Sequence, residues 1–195
     1  MAWTTPNILT LGRIATTPIL IYLLLQSGPM AAALAAIVFF LATITDFLDG
    51  YIARSYGSGS TLGKFLDPLA DKVVVISALI MLAGTPQLPR VPAWIVAVIV
   101  IREIMVTGLR AIAAAEGMVM AAEELGKYKM VLQSIATQGL LIRYTYFHID
   151  FFAAGMFTLW IAMVVSVWSG IDYYLSAIRA LRPKPQAVPH KRAAV

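Results

Sequence analysis

Asp46-Phe47-Leu48-Asp49-Gly50-Tyr51-Ile52-Ala53-Arg54 and, eight residues on, Gly63-Lys64-Phe65-Leu66-Asp67-Pro68-Leu69-Ala70-Asp71 decide how this chain is read. Four of its ten acidic residues fall in these two stretches, and apolar sequence flanks both. Bare carboxylates gathered at the edge of an apolar region repel one another, and their partial burial is costly. Something must neutralise them, and the spacing suggests divalent cations.

The 195 residues are 60% hydrophobic and 13% charged, with a mean hydropathy of +0.81. A soluble domain of this size carries about twice that charged fraction. The excess apolar surface calls for lipid, so a polytopic membrane protein is expected. No cysteine is present, which excludes disulfides but leaves the compartment open. Residues 1–6 hold no cationic side chain, and no small-residue cleavage site follows the first apolar run, so no cleavable signal peptide is expected. The net charge of +5 is explained by its distribution around the spans, and no nucleic-acid partner is expected.

A spanning helix needs about 20 largely apolar residues. The sequence offers six such segments: residues 8–25, 30–54, 62–83, a fourth from just after Pro92 towards Ala114, 127–144 and 150–178. Thr5 and Pro6 suit the cap and first position of the first helix, and Ser27-Gly28-Pro29 breaks it. The expected fold class is thus all-α and integral to the membrane, with one six-helix catalytic domain over residues 1–181. Residues 182–195 form a basic, proline-rich tail expected to be disordered. Six spans put both termini on one side. That side takes 13 of the 15 Lys and Arg residues, leaving Arg90 and Arg143 opposite. By the positive-inside rule both termini, and all four aspartates, are cytoplasmic.

Asp46 and Asp49 are three apart and Asp67 and Asp71 four apart, so each pair shares a helix face. With the second and third spans antiparallel and joined by a short loop, the pairs are expected to face each other in one cleft. Oxygen-only ligation without His or Cys suits Mg²⁺, Mn²⁺ or Ca²⁺. Gly50, Ala53 and Gly63 keep the helix surfaces low beside the acids, and Arg54 adds a guanidinium fork suited to phosphate. The bland alternative pairs the acids with Arg54, Lys64 and Lys72. A cation transporter is a more distant alternative, since no other span offers a matching acid deeper in the membrane.

The two quoted stretches match D-x-x-D-G-x-x-A-R, eight residues, G-x-x-x-D-x-x-x-D at all eight fixed positions. That pattern resembles the signature of the CDP-alcohol phosphotransferase (phosphatidyltransferase) family. Pro6-Asn7-Ile8-Leu9-Thr10-Leu11-Gly12-Arg13, Leu66–Lys72, Arg102-Glu103-Ile104 and Gly126-Lys127-Tyr128-Lys129 resemble its phosphatidylglycerophosphate synthase branch. The resemblance covers residues 5–180. It implies that CDP-diacylglycerol and sn-glycerol 3-phosphate give phosphatidylglycerophosphate and CMP, at the cytoplasmic face of a bacterial inner membrane. It also implies a six-helix fold, two divalent ions (Mg²⁺ or Mn²⁺), and a homodimer among membrane lipids. The alternative within the family is another acceptor, such as inositol phosphate or a lipid as in cardiolipin synthesis.

Under that resemblance Asp46, Asp49, Asp67 and Asp71 hold metal, and Asp71 doubles as general base. Gly50, Ala53, Arg54, Gly63, Asn7 and Thr10 bind CDP-diacylglycerol. An acceptor with a phosphate dianion calls for a second cationic site, and Arg102, Arg110, Lys127 and Lys129 are its candidates. Arg102 and Arg110 are eight apart, about 80° in azimuth and ~12 Å along a helix axis, and could line one groove at two depths. Lys127 and Lys129 point to opposite faces of a regular helix, and Lys127 is the favoured ligand. Snorkelling is the competing reading for Lys129 and Arg179. Glu103 is expected to point away from Arg102. Gly155 and Gly170 are read as sites of close helix contact, with a dimer face as one option.

Overall fold

The computed structural model describes residues 5–56, 61–85, 89–115 and 124–181. For residues 5–11, 13, 46–56, 61–71, 124, 125, 127, 180 and 181 it describes the backbone path alone. Within these limits the chain is six α-helices and one short hairpin. They are α1 (Thr5–Leu25), α2 (Pro29–Tyr56), α3 (Thr61–Gly84), α4 (Ala93–Ala115), α5 (Glu124–Ile142), β1 (Thr145–Tyr146), β2 (Ile149–Asp150) and α6 (Phe151–Leu181). The expected tail, residues 57–60 and residues 116–123 lie outside the described residues.

The helix boundaries follow local chemistry. Gly28 takes φ 110°, a conformation that costs a glycine little, and Pro29 then opens α2 with its fixed φ. The α5–α6 junction departs from expectation. The fifth helix was expected to run to residue 144, but α5 stops at Ile142, and Arg143 (φ 62°), Phe147 (φ 51°) and His148 (φ 64°) turn the chain left-handed. A two-residue antiparallel ladder pairs Thr145 with Asp150 and Tyr146 with Ile149. The segment 143–150 holds no Gly, Pro or Asn, so nothing in its composition announces a turn. Asp150 Oδ1 then accepts a hydrogen bond from the Ala153 amide at 3.0 Å and caps α6.

The helices close into a ring in the order α1, α2, α5, α6, α4, α3, with α3 also touching α5 across the middle. α2 and α3 were expected to be close neighbours. Among the described residues they touch only sparingly, and α1 packs heavily on each. Leu20, Phe39, Leu79, Leu82, Ile95, Ile99, Leu140 and Leu159 are sealed in the shared core.

α5 and α6 form the tightest pair, and Gly139 and Gly155 make it possible: a Cβ on Gly139 would lie 3.0 Å from the Gly155 Cα. A Cβ on Gly155 would lie 2.7 Å from the Leu140 amide nitrogen and 3.0 Å from the Gly139 carbonyl carbon. A Cβ on Gly170 would meet the Arg102 stem at 3.0 Å. Gly155 and Gly170 therefore serve packing within the chain. These contacts, of Gly155 with α5 and of Gly170 with the Arg102 stem of α4, lie within one chain.

Every helix also exposes large apolar side chains, among them Ile19, Ile37, Ile80, Ile104, Val131 and Phe157. Apolar surface spread around a whole bundle marks contact with lipid. Among the described residues α6 is the one helix long and apolar enough to cross a membrane by itself, over Phe151–Arg179. The apolar stretches Pro29–Thr45 and Lys72–Gly84 are shorter, about 26 Å and about 20 Å of helix.

Candidate active site

Asp46 and Asp49 lie in the C-terminal half of α2, and Asp67 and Asp71 in the N-terminal half of α3. Both spacings fall inside unbroken helix, so each pair keeps the one-face register read from the sequence. Because α2 and α3 run in opposite directions, the pairs belong to the same end of the bundle. Gly50, Ala53, Arg54 and Gly63 occupy the same helical segments, and Asn7 and Thr10 the first turns of α1. The side chains of these residues, and that of Lys127, lie outside the described set. Among the described residues no group of three or more His, Cys, Asp or Glu could hold a metal. The four aspartates remain the donor set that fits one: oxygen-only and anionic, as hard divalent cations require.

Lys72, the residue after Asp71, joins a largely buried ionic node. Glu103 of α4 is its centre. Its Oε1 pairs with Lys129 of α5 and, at 3.2 Å, with Arg102; its Oε2 lies 3.4 Å from Lys72 of α3. Lys72 also donates to Thr107 Oγ1 at 2.6 Å, and that hydroxyl donates to the Glu103 carbonyl at 2.7 Å. Arg102 reaches across to α6, donating to the Ser166 carbonyl at 2.8 Å and Ser169 Oγ at 2.7 Å. Glu103 and Lys129 are both buried. Removing one partner from a buried pair costs about 3–5 kcal/mol, so these contacts hold each other in place.

Two expectations change here. Glu103 does not point away from Arg102: both side chains are long enough to converge although their Cα–Cβ bonds diverge. Lys129 does not snorkel, because it finds a carboxylate inside the bundle. Arg179, by contrast, is exposed, as a snorkelling residue would be. Arg110 sits two turns beyond Arg102 on α4, its guanidinium 5.3 Å from the ring centroid of Tyr173. Arg102 and Arg110 thus lie along one α4–α6 seam at two depths. Sequence reasoning missed Glu103, Lys72 and Tyr173 as parts of this region. A Glu beside an Arg inside an apolar helix was the available signal, since an intramembrane carboxylate needs a cation.

Consecutive helices thus carry the paired acids, and Lys72, the next residue after Asp71, joins the ionic node around Glu103. The CDP-alcohol phosphatidyltransferase family model matches residues 3–168, and the chain belongs to that family. It is 41% identical over 189 residues to the CDP-diacylglycerol–glycerol-3-phosphate 3-phosphatidyltransferase of Bacillus subtilis, covering 91% of this chain and 96% of the relative. A protein of the same name from Rickettsia bellii is 37% identical over 170 residues, covering 87% and 92%. The CMP-forming cardiolipin synthase of Oryza sativa is 39% identical over 149 residues, covering 71% of this chain and 45% of the plant protein.

Proposed function

We propose that the chain transfers the phosphatidyl group of CDP-diacylglycerol to sn-glycerol 3-phosphate, giving phosphatidylglycerophosphate and CMP. The observation that carries this reading is the buried basic node one helix position beyond Asp71. Among the described side chains it sets Lys72, Arg102 and Lys129 against the single carboxylate of Glu103. An excess of cation beside an acidic segment suits an acceptor bearing a phosphate. The names of the bacterial relatives supply glycerol 3-phosphate as that acceptor. A lipid acceptor, suggested by the rice relative, is the second reading. Free glycerol phosphate is a dianion whereas phosphatidylglycerol offers a singly charged diester, and the excess of cation favours the dianion.

In the proposed reaction an acceptor hydroxyl oxygen attacks the lipid-linked phosphorus. The bond from that phosphorus to the oxygen of the CMP phosphate breaks, and CMP leaves with the bonding pair. Asp46, Asp49, Asp67 and Asp71 would hold two divalent cations, Mg²⁺ or Mn²⁺, which supply charge neutralisation to the pyrophosphate oxygens when bound. Asp71 takes the hydroxyl proton, for which it must lie within hydrogen-bond reach of the acceptor. Arg54 holds a phosphate, and Gly50, Ala53 and Gly63, with Asn7 and Thr10, receive the cytidine end of the donor. Arg110, Lys127 and Lys129 attract the acceptor phosphate. Arg102, already bound to Ser166 and Ser169, fixes the α4–α6 seam beside it.

The same proposal sets six membrane crossings with both termini and the acids at the cytoplasmic face of a bacterial inner membrane. The apolar girdle around all six helices and the lopsided Lys and Arg distribution support it. A homodimer, as the family resemblance implies, completes it.

The test is CMP release by purified protein in mixed micelles, with each component left out in turn. Release is expected only when CDP-diacylglycerol, glycerol 3-phosphate and Mg²⁺ or Mn²⁺ are all present. EDTA should reduce it to background, and excess Mg²⁺ should restore it. Release that survives chelation would remove the metal from the account, and no release with the full set would remove the reaction.

A further inference from the structure

We infer that Glu103 is a positioning residue that sets the distance between the acids of α3 and the acceptor-phosphate cations. The inference rests on the phosphatidyl-transfer reading above and assigns to Glu103 a role in it. Glu103 uses its two oxygens on different helices. Oε1 accepts from Lys129 at the start of α5, and Oε2 faces Lys72, the residue after Asp71 on α3, at 3.4 Å. The bond from Lys72 to Thr107, at 2.6 Å, closes a loop through α4. α3 leans on α1 more than on α4 or α5, and this loop adds a polar tie from α3 to both helices of the acceptor side.

The chemistry makes that spacing matter. One acceptor molecule must place its phosphate on cations and its hydroxyl beside Asp71 at the same time, and the separation of the two groups is fixed by its carbon chain. A shift of about 1 Å between the two sites can cost on the order of a hundredfold in rate. A carboxylate is required because it accepts from both ammonium groups. In Glu103→Gln the amide nitrogen would face one ammonium group, donor against donor, and that lysine would be released.

The variants to make are Glu103→Gln and Glu103→Asp, assayed for CMP release with each substrate varied. Glu103→Gln is expected to raise the KM for glycerol 3-phosphate by about 10- to 100-fold, the scale of a lost buried bond to a charged group. The KM for CDP-diacylglycerol should change by less than about twofold, since none of the residues assigned to the cytidine end of the donor belongs to the loop. Glu103→Asp keeps the charge on a shorter arm, and should fold with an acceptor KM between those of wild type and Glu103→Gln. If Glu103→Gln does not fold, the Asp variant carries the test alone. A purely structural role would instead lower the amount of active protein and leave both KM values unmoved. Wild-type protein that releases no CMP would overturn the functional reading. Normal wild-type release with an unshifted acceptor KM in the folded variants would overturn the role of Glu103 alone.

Discussion

Asp71→Asn is expected to lower CMP release by about 10³-fold or more while leaving the helical circular dichroism of the protein unchanged. The substitution keeps size and helical position and removes the charge. A general base contributes roughly 10²–10⁴ in rate, and weakened metal binding adds to the loss. Asp71 occupies the third turn of α3, next to the Lys72 that reaches Glu103 and Thr107. The two roles assigned to Asp71 separate in a titration. If it acts mainly as metal ligand, raising Mg²⁺ or Mn²⁺ recovers much of the activity of the Asn variant. If it acts mainly as base, rate stays low at saturating metal. Activity within tenfold of wild type would remove Asp71 from the chemistry.

Gly155→Ala carries the largest expected effect on stability. The added methyl would lie 2.7 Å from the backbone nitrogen of Leu140, and backbone cannot step aside as a side chain end can. The α5–α6 pair must separate or shear. Overpacking of this kind costs typically about 1–3 kcal/mol, which lowers the thermal midpoint by roughly 3–10 °C for a chain of this length. Gly108→Ala is the matched control. Nothing lies within 4 Å of its added methyl, and alanine is the better helix former by about 1 kcal/mol. A midpoint for Gly155→Ala equal to that of Gly108→Ala, measured by scanning fluorimetry in the same detergent, would contradict the packing described for α5 and α6.

The architecture was readable in the sequence where hydrophobicity and helix punctuation agree. Ser27-Gly28-Pro29 set the α1–α2 break, and the Pro92 boundary set the start of α4. The acid spacing within α2 and α3 was readable because helical periodicity is local. What escaped depended on contacts distant in sequence. Glu103 and Lys129 are 26 residues apart and Lys72 and Thr107 are 35 apart, and no local pattern pairs them. The hairpin before α6 was missed because residues 143–150 turn without Gly, Pro or Asn. Gly155 and Gly170 were recognised as contact points, but the partner of each is set by tertiary packing: Gly139 and Leu140 for one, the Arg102 stem for the other.

The acids and the basic node have one joint consequence, and following the acceptor measures it. Labelled sn-glycerol 3-phosphate is incubated with purified protein, CDP-diacylglycerol and Mg²⁺, and the lipid phase is extracted. Label should move into the lipid phase as phosphatidylglycerophosphate, mole for mole with CMP, and should not do so when CDP-diacylglycerol or the divalent ion is omitted. Label that stays in the aqueous phase, while phosphatidylglycerol or another acceptor drives CMP release, would contradict the acceptor assigned here.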